Sequence, residues 1–541
     1  MSAAIPAIRR ILRAVIPVGA ITQLNPLTRL SAFPTRLPMT ASLATMRPLT
    51  LLFALLLALP RAGHAAELGV LSPVLADGKA LERAAPGGGM APVVERVSSG
   101  ALFDQLQREA HQGFTASMLA LDERAQRVSG QTRVRPTWLY LSQEDGGFPR
   151  SGFWLQDAGA LRYVAEPFVD LIVDADSVDK GDFEEIFAHE LGHVLLRRLL
   201  PRLPEGYSRT PHASLSITDR PTAFDEGFAT HFQGLARHLT RNERLRLEDH
   251  GLTSKPFLSY WASNLDRTAR IDGVRRNVFV QSQLVLPGEG DAITLRDHST
   301  LFDTARLKSG DQMMASEGVV ATVFYRWLVP GDTDTAALVE RYGRLFTALA
   351  DLNRKRLEPD SPVLVRVLQA YAAEYPQESA SLMKLFLETT YAATVDPAIA
   401  RQTEALAAVG RVGGMNVGAY VTQLKAARAV LAMSMETTTP DRLDAALSTP
   451  IWLLEAASGD ASDAYRDGLA VDVNTAEREG LSALPGIDVA TADRIIEERR
   501  VHGPYASLAA LFARVPMPAA SVAALKTLNQ AAQKAGTYSR R

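Results

Sequence analysis

One predicted helix of this chain has apolar residues that can pack it into a core and two histidines that it can present to a cleft. Its apolar spacing predicts a helix from about Asp182 to Leu200, where Pro201 stops it, with Asp182 and Glu185 at capping-box spacing. This helix contains the sequence HELGH at residues 189–193. Histidines at positions i and i+4 lie one turn apart on one helix face, so their imidazoles are close enough to share a tetrahedral metal ion.

Glu190 lies about 100° further round the same helix, beside the coordination position that the histidines leave open. A carboxylate there can take a proton from water whose pKa a metal has lowered towards neutrality. Gly192 would let a neighbouring element approach the helix backbone closely. We therefore predict His189 and His193 as metal ligands and Glu190 as the general base.

A catalytic zinc ion normally has three protein ligands and a water, so a third ligand is expected further along the chain. Leu196 and Leu199 exclude the continuation HExxHxxGxxH of the metzincins. A second helix is predicted over residues 221–239, and it carries the sequence FDEGFA at 224–229. This pattern resembles the gluzincin metallopeptidases, in which a Glu on a following helix, commonly within (N/D)-E-G-x-A, completes a His2Glu zinc site. The resemblance implies that Glu226 is the third ligand.

The separation of His193 from Glu226 (226 − 193 = 33 positions) is longer than in the best-known gluzincins, so the loop between the two helices is an insertion or marks a separate branch. His212 in that loop is one rival for the third ligand position. His231 is another, although it lies about 140° from Glu226 round the helix. Asp225 is either an acceptor for a ligand imidazole or a solvated acid on the helix surface.

The chemistry also calls for a Tyr or His that stabilises the transition state. Tyr207, His212 and Tyr325 are the candidates, and the sequence does not separate them. Glu317 opens a later apolar helix and either contacts substrate or serves as an ordinary helix-start carboxylate, which we favour.

The composition limits where a metal could bind. The 541-residue chain has no cysteine, which excludes disulfides and thiolate ligands and leaves histidine and carboxylate. Two imidazoles and a carboxylate favour one Zn²⁺ ion. The net charge of −2, from 58 basic and 60 acidic residues, gives no global reason to expect nucleic acid or an anionic membrane as partner.

The N-terminal residues 1–65 are predicted to be a signal or presequence. Met46 and Arg47 precede an apolar run at 49–59 and a small-x-small pattern at 63–65 that suits signal-peptidase cleavage. Either residues 1–45 are part of a presequence or, as we favour, the true start is Met46. No other stretch has the roughly 20 apolar residues of a membrane span. We therefore expect an exported protein, periplasmic or secreted.

The remaining chain is predicted to be an α+β protein. Gly-, Pro- and Ser-rich residues 66–99 indicate a linker, and 100–245 a metallopeptidase domain of the zincin kind. That domain would combine one or two helices with a small antiparallel sheet formed by four short runs: 137–141, 152–155, 161–165 and 169–173. Residues 246–460 form a helical subdomain that closes one side of the cleft.

Residues 465–541 resemble the helix-hairpin-helix module of competence-type DNA receptors, a similarity carried by the sequences VDVNTA, LPGI and GPYASL. Such hairpins bind phosphate through backbone N–H groups at a helix N-terminus. This copy departs from the pattern, because Asp488 replaces a usual glycine and 515–518 has no glycine. From 471 to 541 there are nine basic and seven acidic residues, a net of +2. We therefore favour a structural or protein-binding role over weak DNA contact.

The sequence thus predicts a zinc-dependent peptidase, by default an endopeptidase, which acts on a peptide or protein aligned along an edge strand upstream of the HELGH helix. Two alternatives stay open. One is a non-catalytic envelope or DNA-binding adaptor that uses the metallopeptidase fold as a scaffold. The other is a zinc hydrolase of a non-peptide amide, since the same chemistry serves other amide bonds.

Overall fold

The computed structural model of the protein describes residues 67–143, 147–204, 206, 212–254, 265–277, 279, 308–329, 334–355, 357, 362–390, 450–454 and 470–536. The predicted signal segment and its alternative start at Met46 lie outside these residues, as does Tyr207. Within the described part of the chain, no helix combines the length and the apolar character that a membrane span requires.

A mixed six-stranded sheet forms the N-terminal part of the fold, and a two-residue pair of strands, Leu75–Ala76 (β2) and Lys79–Ala80 (β3), stands beside it. The sheet strands are Leu68–Pro73 (β1), Glu82–Ala84 (β4), Met90–Arg96 (β5), Thr137–Leu141 (β6), Phe148–Asp157 (β7) and Ala160–Leu171 (β8). Their order is β1-β6-β8-β7-β5-β4, and β1 also pairs with β5. The sheet therefore curls until five of its strands close into a ring.

The inside of this ring is an aromatic core. Phe153 makes edge-to-face contacts with Trp138 and Phe168, each with ring centroids 5.5 Å apart. Leu139, between two inward residues of β6, belongs instead to the larger core shared with the helices. Both faces of β6 are therefore buried, which explains why this strand is apolar at nearly every position.

The structure corrects two sequence predictions here. Residues 66–99, predicted as a linker, supply strands β1 to β5. Leu68 pairs with Thr137, a partner that local composition cannot reveal. The sheet is also mixed and not antiparallel, because β6 runs parallel to both β1 and β8, and β5 runs parallel to β7. The predicted runs 161–165 and 169–173 belong to one long strand, β8, which ends at Leu171.

Helices cover the outer face of the sheet and form the rest of the main core. They are Ala101–Gln112 (α1), Phe114–Val128 (α2), Ala175–Lys180 (α3), Asp182–Leu199 (α4), Arg220–Leu239 (α5), Glu243–Ser254 (α6), Leu265–Thr268 (α7), Val274–Arg276 (α8), Gly310–Met314 (α9), Glu317–Leu328 (α10), Thr335–Arg354 (α11), Val363–Glu374 (α12) and Ser379–Thr390 (α13). A π turn, Ala269–Gly273, joins α7 to α8, and a 3-10 turn, Pro376–Glu378, precedes α13.

One hydrophobic cluster runs through these helices. It contains Leu191 of α4, Phe228 of α5, Phe324 of α10 and Phe386 of α13. The described helices of the predicted subdomain 246–460 therefore complete the core of the α4–α5 pair. Residues 391–449 of that subdomain lie outside the described residues.

The C-terminal module has a core of its own, which includes Val473, Leu484, Tyr505 and Leu525. Asn474 fixes its centre, since Nδ2 donates to the carbonyl of Tyr505 and Oδ1 accepts from the N–H of Tyr505. Its elements are Trp452–Leu454 (β9), Ala470–Asp472 (β10), Arg478–Ser482 (α14), Val489–His502 (α15), Leu508–Arg514 (α16) and Ala519–Gly536 (α17). The α+β class and the C-terminal helical module predicted from the sequence are thus confirmed.

Candidate active site

The HELGH sequence lies in α4, as predicted, but the helix begins in an unexpected way. The residue before its first turn is Gly181, with φ at 85° and no side-chain cap. A Cβ at Gly181 would come 2.8 Å from the Cβ of Leu245, so both conformation and packing require glycine. The predicted capping box of Asp182 and Glu185 is wrong, because the Glu185 carboxylate is buried against Arg237.

The second predicted site helix, α5, packs directly on α4. It begins where expected, and Asp219 caps it by accepting from the N–H of Thr222 at 2.9 Å. A Cβ at Gly192 would lie only 2.9 Å from the Cα of Ala229. Glycine inside HELGH therefore lets the two helices approach closely enough for their side chains to meet.

The packing of α4 on α5 brings together the three predicted metal ligands. Nε2 of His189 lies 3.6 Å and Nε2 of His193 lies 3.5 Å from the same oxygen, Oε2 of Glu226. Ligands at 2.0–2.1 Å from a tetrahedral zinc ion are about 3.4 Å apart, which these separations approach. Oε2 of Glu226 is also buried without a hydrogen-bond partner among the described residues. The donor set therefore fits one zinc ion in identity and spacing.

Asp225 contacts the imidazole of His193, a predicted ligand, and is not simply a solvated surface acid. Its Oδ1 lies 2.7 Å from Nδ1 of His193, on the other side of the ring from Glu226. An acceptor at Nδ1 favours the tautomer that leaves Nε2 free to bind a metal. Asp225 thereby orients His193.

Glu190 is buried on α4, and its Oε2 has no hydrogen-bond partner among the described residues. The residue just before β7, Gly147, lies beside it: a Cβ built on Gly147 would be 4.0 Å from Oε1 of Glu190. The predicted general base thus has an uncommitted carboxylate oxygen next to the first residues of a strand.

Glu317 and His212 join the cluster from two further elements. A Cβ at Gly227 would come 2.7 Å from the carbonyl oxygen of Glu317, so this glycine lets α10 lie against α5. Glu317 is 1% exposed, its Oε1 accepts from Thr230 at 3.1 Å, and its Oε2 lies 3.4 Å from Nδ1 of His212. That nitrogen is also 3.6 Å from Oε2 of Glu226. Glu317 is therefore a helix-start residue that also contacts the site.

These contacts shift the pKa values of the metal-free site. Burial lowers the pKa of His193, but Asp225 and Glu226 outweigh it and raise that pKa well above its usual value. The carboxylate of Glu226 raises the pKa of His212 to about 9. Burial would raise the pKa of Glu226 itself, yet His212 and His193 bring it well below the ordinary range. Glu226 is therefore a carboxylate that carries its charge in the folded protein.

The other sequence candidates lie elsewhere. His231 is buried in the aromatic core, where Nδ1 donates to the carbonyl of Phe228 and Nε2 accepts from the hydroxyl of Tyr342 at 2.9 Å. Both ring nitrogens are used, so it is not a ligand. Tyr325 packs on Gly234, two turns of α5 beyond Glu226. Of the candidates for transition-state stabilisation, the described residues bring only His212 to the site.

Comparison with known proteins supports the C-terminal module alone. A family model described as a helix-hairpin-helix motif matches residues 467–527. The searches of curated proteins and of solved structures gave no match for this chain. The metallopeptidase interpretation therefore depends on the motifs and on the geometry described above.

Proposed function

We propose that this protein is a zinc-dependent peptidase with His189, His193 and Glu226 as the metal ligands. The observation that carries the proposal is the convergence of two imidazole nitrogens on one buried carboxylate oxygen, at 3.5 and 3.6 Å. A buried carboxylate without a hydrogen-bond partner is costly unless a cation is bound beside it.

Zinc bound there would supply a Lewis acid that polarises the scissile carbonyl and lowers the pKa of the attacking water. Glu190 takes the proton from that water and later gives it to the leaving amine. Its free Oε2 supports this role, because a general base must have an oxygen that no neighbour already occupies. Asp225 keeps His193 in the ligand tautomer throughout.

We assign His212 to the oxyanion that develops on the carbonyl oxygen. Glu317 holds Nδ1 of His212, and the side chain is 46% exposed beside the buried ligands. No hydrogen bond to Nε2 is found among the described residues, so this nitrogen is available to donate to substrate. Donors fixed before the reaction stabilise developing charge without having to reorganise.

The start of β7 offers a place for an extended substrate. Residues 148–151 pair with β8 on one side, whereas among the described residues β5 joins β7 at Trp154 and Leu155 alone. This half of β7 therefore behaves as an edge strand, and its first residues follow Gly147, which lies beside Glu190. A peptide added to this edge as a further strand would pass the general base.

We further propose that the peptidase is exported through its predicted N-terminal signal.

The proposal is tested with a diverse peptide library and the full-length protein, wild type and Glu190→Gln, with zinc content measured in each. We expect cleavage by the wild type and a loss of about 10²- to 10⁴-fold in the variant at unchanged zinc content. Glu374→Gln, on the exposed part of α12, is the matched control and should cleave normally.

Absence of bound zinc in the wild type, or equal cleavage by Glu190→Gln, would overturn the proposal. If the zinc-loaded protein cleaves no peptide, the same comparison of wild type and Glu190→Gln is made with non-peptide amides as substrates. The adaptor alternative predicts unaltered biological activity in Glu190→Gln, and a DNA-binding form of it requires duplex binding by the C-terminal module.

A further inference from the structure

Among the described residues, the C-terminal module meets the rest of the chain through residues 472–477, which we name the docking turn, and through Pro450 and Trp452 beside it. Nε2 of Gln312 donates to the carbonyl of Thr475 at 2.8 Å in a buried contact and to Oε1 of Glu477 at 3.2 Å. Gln312 belongs to α9, and its own Oε1 accepts from the N–H of Ser309 in a capping box. One side chain thus both caps α9 and joins it to the module.

The docking turn also faces the beginning of α5. Asp472 and Thr475 line a small cleft together with Arg220 and Ala315. Arg220, the first residue of α5, donates to Oδ1 of Asp311 at 2.7 Å, and both side chains are buried. The module therefore rests on the junction between α5 and α9.

This junction leads directly to the candidate site. The residues after α9 pair with the loop that follows His212: Thr218 N–H donates to the carbonyl of Ala315 at 2.8 Å, and Gly318 N–H donates to the carbonyl of Ser214 at 3.0 Å. Glu317 lies in this paired segment. Along α5, Glu226 follows Arg220 by six positions, less than two turns. The docked segments are thus those that carry Glu226, Glu317 and His212.

Two arginines of the module, Arg499 and Arg514, stabilise its own structure. Arg499 is 8% exposed and donates to the carbonyls of Val473 and Ala476, each at 2.6 Å, so it holds the docking turn in shape. Arg514 donates to the carbonyls of Gly503 and Glu498.

The helix end where a phosphate would bind in the first hairpin is also occupied. Oδ1 of Asp488 caps α15 by accepting from the N–H of Thr491 at 2.8 Å. A carboxylate at this end repels a phosphate. The charges of the module are thus arranged for contact with its own chain more than for a polyanion.

We propose that the helix-hairpin-helix module is an intramolecular partner of the metal site: its docking turn binds α9 and the start of α5 and so positions Glu226, Glu317 and His212. The proposal rests on the proposed function, because it assigns a consequence to metal binding. Buried polar groups that pack together have few alternative arrangements, so a displacement of one group moves its neighbours.

The test measures zinc affinity of the full-length protein by competition with a chelator. Gln312→Glu keeps the acceptor for Ser309 but cannot donate to Thr475 and faces the carboxylate of Glu477. We expect it to bind zinc about 3- to 10-fold more weakly, less than the 10- to 100-fold loss for a residue bonded to a ligand. Adding Glu477→Gln supplies a new donor and should restore part of the affinity. Gln533→Glu, exposed on α17, is the matched control.

Hydrogen exchange of the wild type gives a second readout that needs no variant. Coupling between two sites is reciprocal, so zinc should slow exchange in the docking turn while α17 stays unchanged. Unchanged affinity in a folded Gln312→Glu protein, or a docking turn whose exchange ignores zinc while α5 responds, would overturn the docking role. A wild type that binds no zinc overturns the metallopeptidase proposal instead.

Discussion

The buried carboxylates at the two ends of the α4–α5 pair have different neighbours. At one end, the carboxylate of Glu185 accepts from Arg237 at 2.8 Å and lies 3.5 Å from Arg267. At the other end, Oε2 of Glu226 lies 3.5–3.6 Å from three imidazoles and has no hydrogen bond among the described residues. The same two helices therefore carry one ion-pair cluster and one carboxylate that faces histidines.

The difference lies in the cations. Arginine stays protonated in proteins, so Glu185 and its partners neutralise one another permanently. An imidazole can release its proton and become a neutral metal ligand. The charges at the Glu185 end are thus neutralised within the polypeptide. At the Glu226 end, the histidines can release protons while a divalent ion binds, so the charges stay balanced.

The largest effect should follow from Glu185→Gln. Burial would raise the pKa of Glu185, but Arg237 and Arg267 lower it. The variant removes the nearest anion of the buried Arg237, at 2.8 Å, and leaves Glu248 at 3.5 Å. We expect the free energy of unfolding to fall by about 3–5 kcal/mol, measured by denaturant titration in the presence of a chelator. Glu340→Gln, which breaks the exposed pair with Arg344, should cost at most about 0.5 kcal/mol. Equal losses of unfolding free energy in both variants would mean that the buried ion pair of Glu185 contributes no more than the exposed pair of Glu340.

A smaller effect is expected from Glu226→Gln in the metal-free protein, because His193 and His212 can become neutral once the carboxylate is gone. The stabilities of the wild type and Glu226→Gln should differ more when zinc is added. Zinc at 100 times its dissociation constant should stabilise the wild type by about 2.7 kcal/mol and the variant hardly at all. Thermal unfolding with and without zinc measures both values. A zinc-dependent rise of the same size in Glu226→Gln would remove Glu226 from the ligand set.

The smallest effect near neutral pH concerns His231, a buried neutral histidine of α5. Burial lowers its pKa to about 3, so below the usual imidazole pKa of about 6.5 the unfolded chain binds a proton that the folded protein excludes. Stability is therefore lost as the pH falls from about 6.5 to 3, by about 1.4 kcal/mol at about pH 5.5.

The double variant His231→Phe with Tyr342→Phe removes this pH dependence without leaving an unpaired hydroxyl. Between about pH 6.5 and 3, the unfolding free energy of the double variant should fall less steeply with pH than that of the wild type. Identical slopes would mean that His231 titrates normally in the folded protein.

Local sequence patterns were sufficient for the two site helices. The apolar period, Pro201 and Pro221 are local features, so the sequence predicts α4 and α5 to within about a residue. The ligand spacing of His189 and His193 follows from helix geometry alone. The capping box failed because Glu185 is drawn to Arg237, a residue 52 positions away.

Other features required partners far along the chain. Local composition predicts a linker where strands β1 and β5 lie, because their pairing with β6 and β7 is non-local. The sequence around Glu317 indicates an ordinary helix start, and its contact with the site depends on Gly227 and His212, which are distant in sequence. The chemistry available at this site can be predicted from residue types and helical period, because both are local properties. Which of these groups meet depends on the packing of α4, α5 and α10, because a buried charge is satisfied by the partners that this packing brings within a few ångströms.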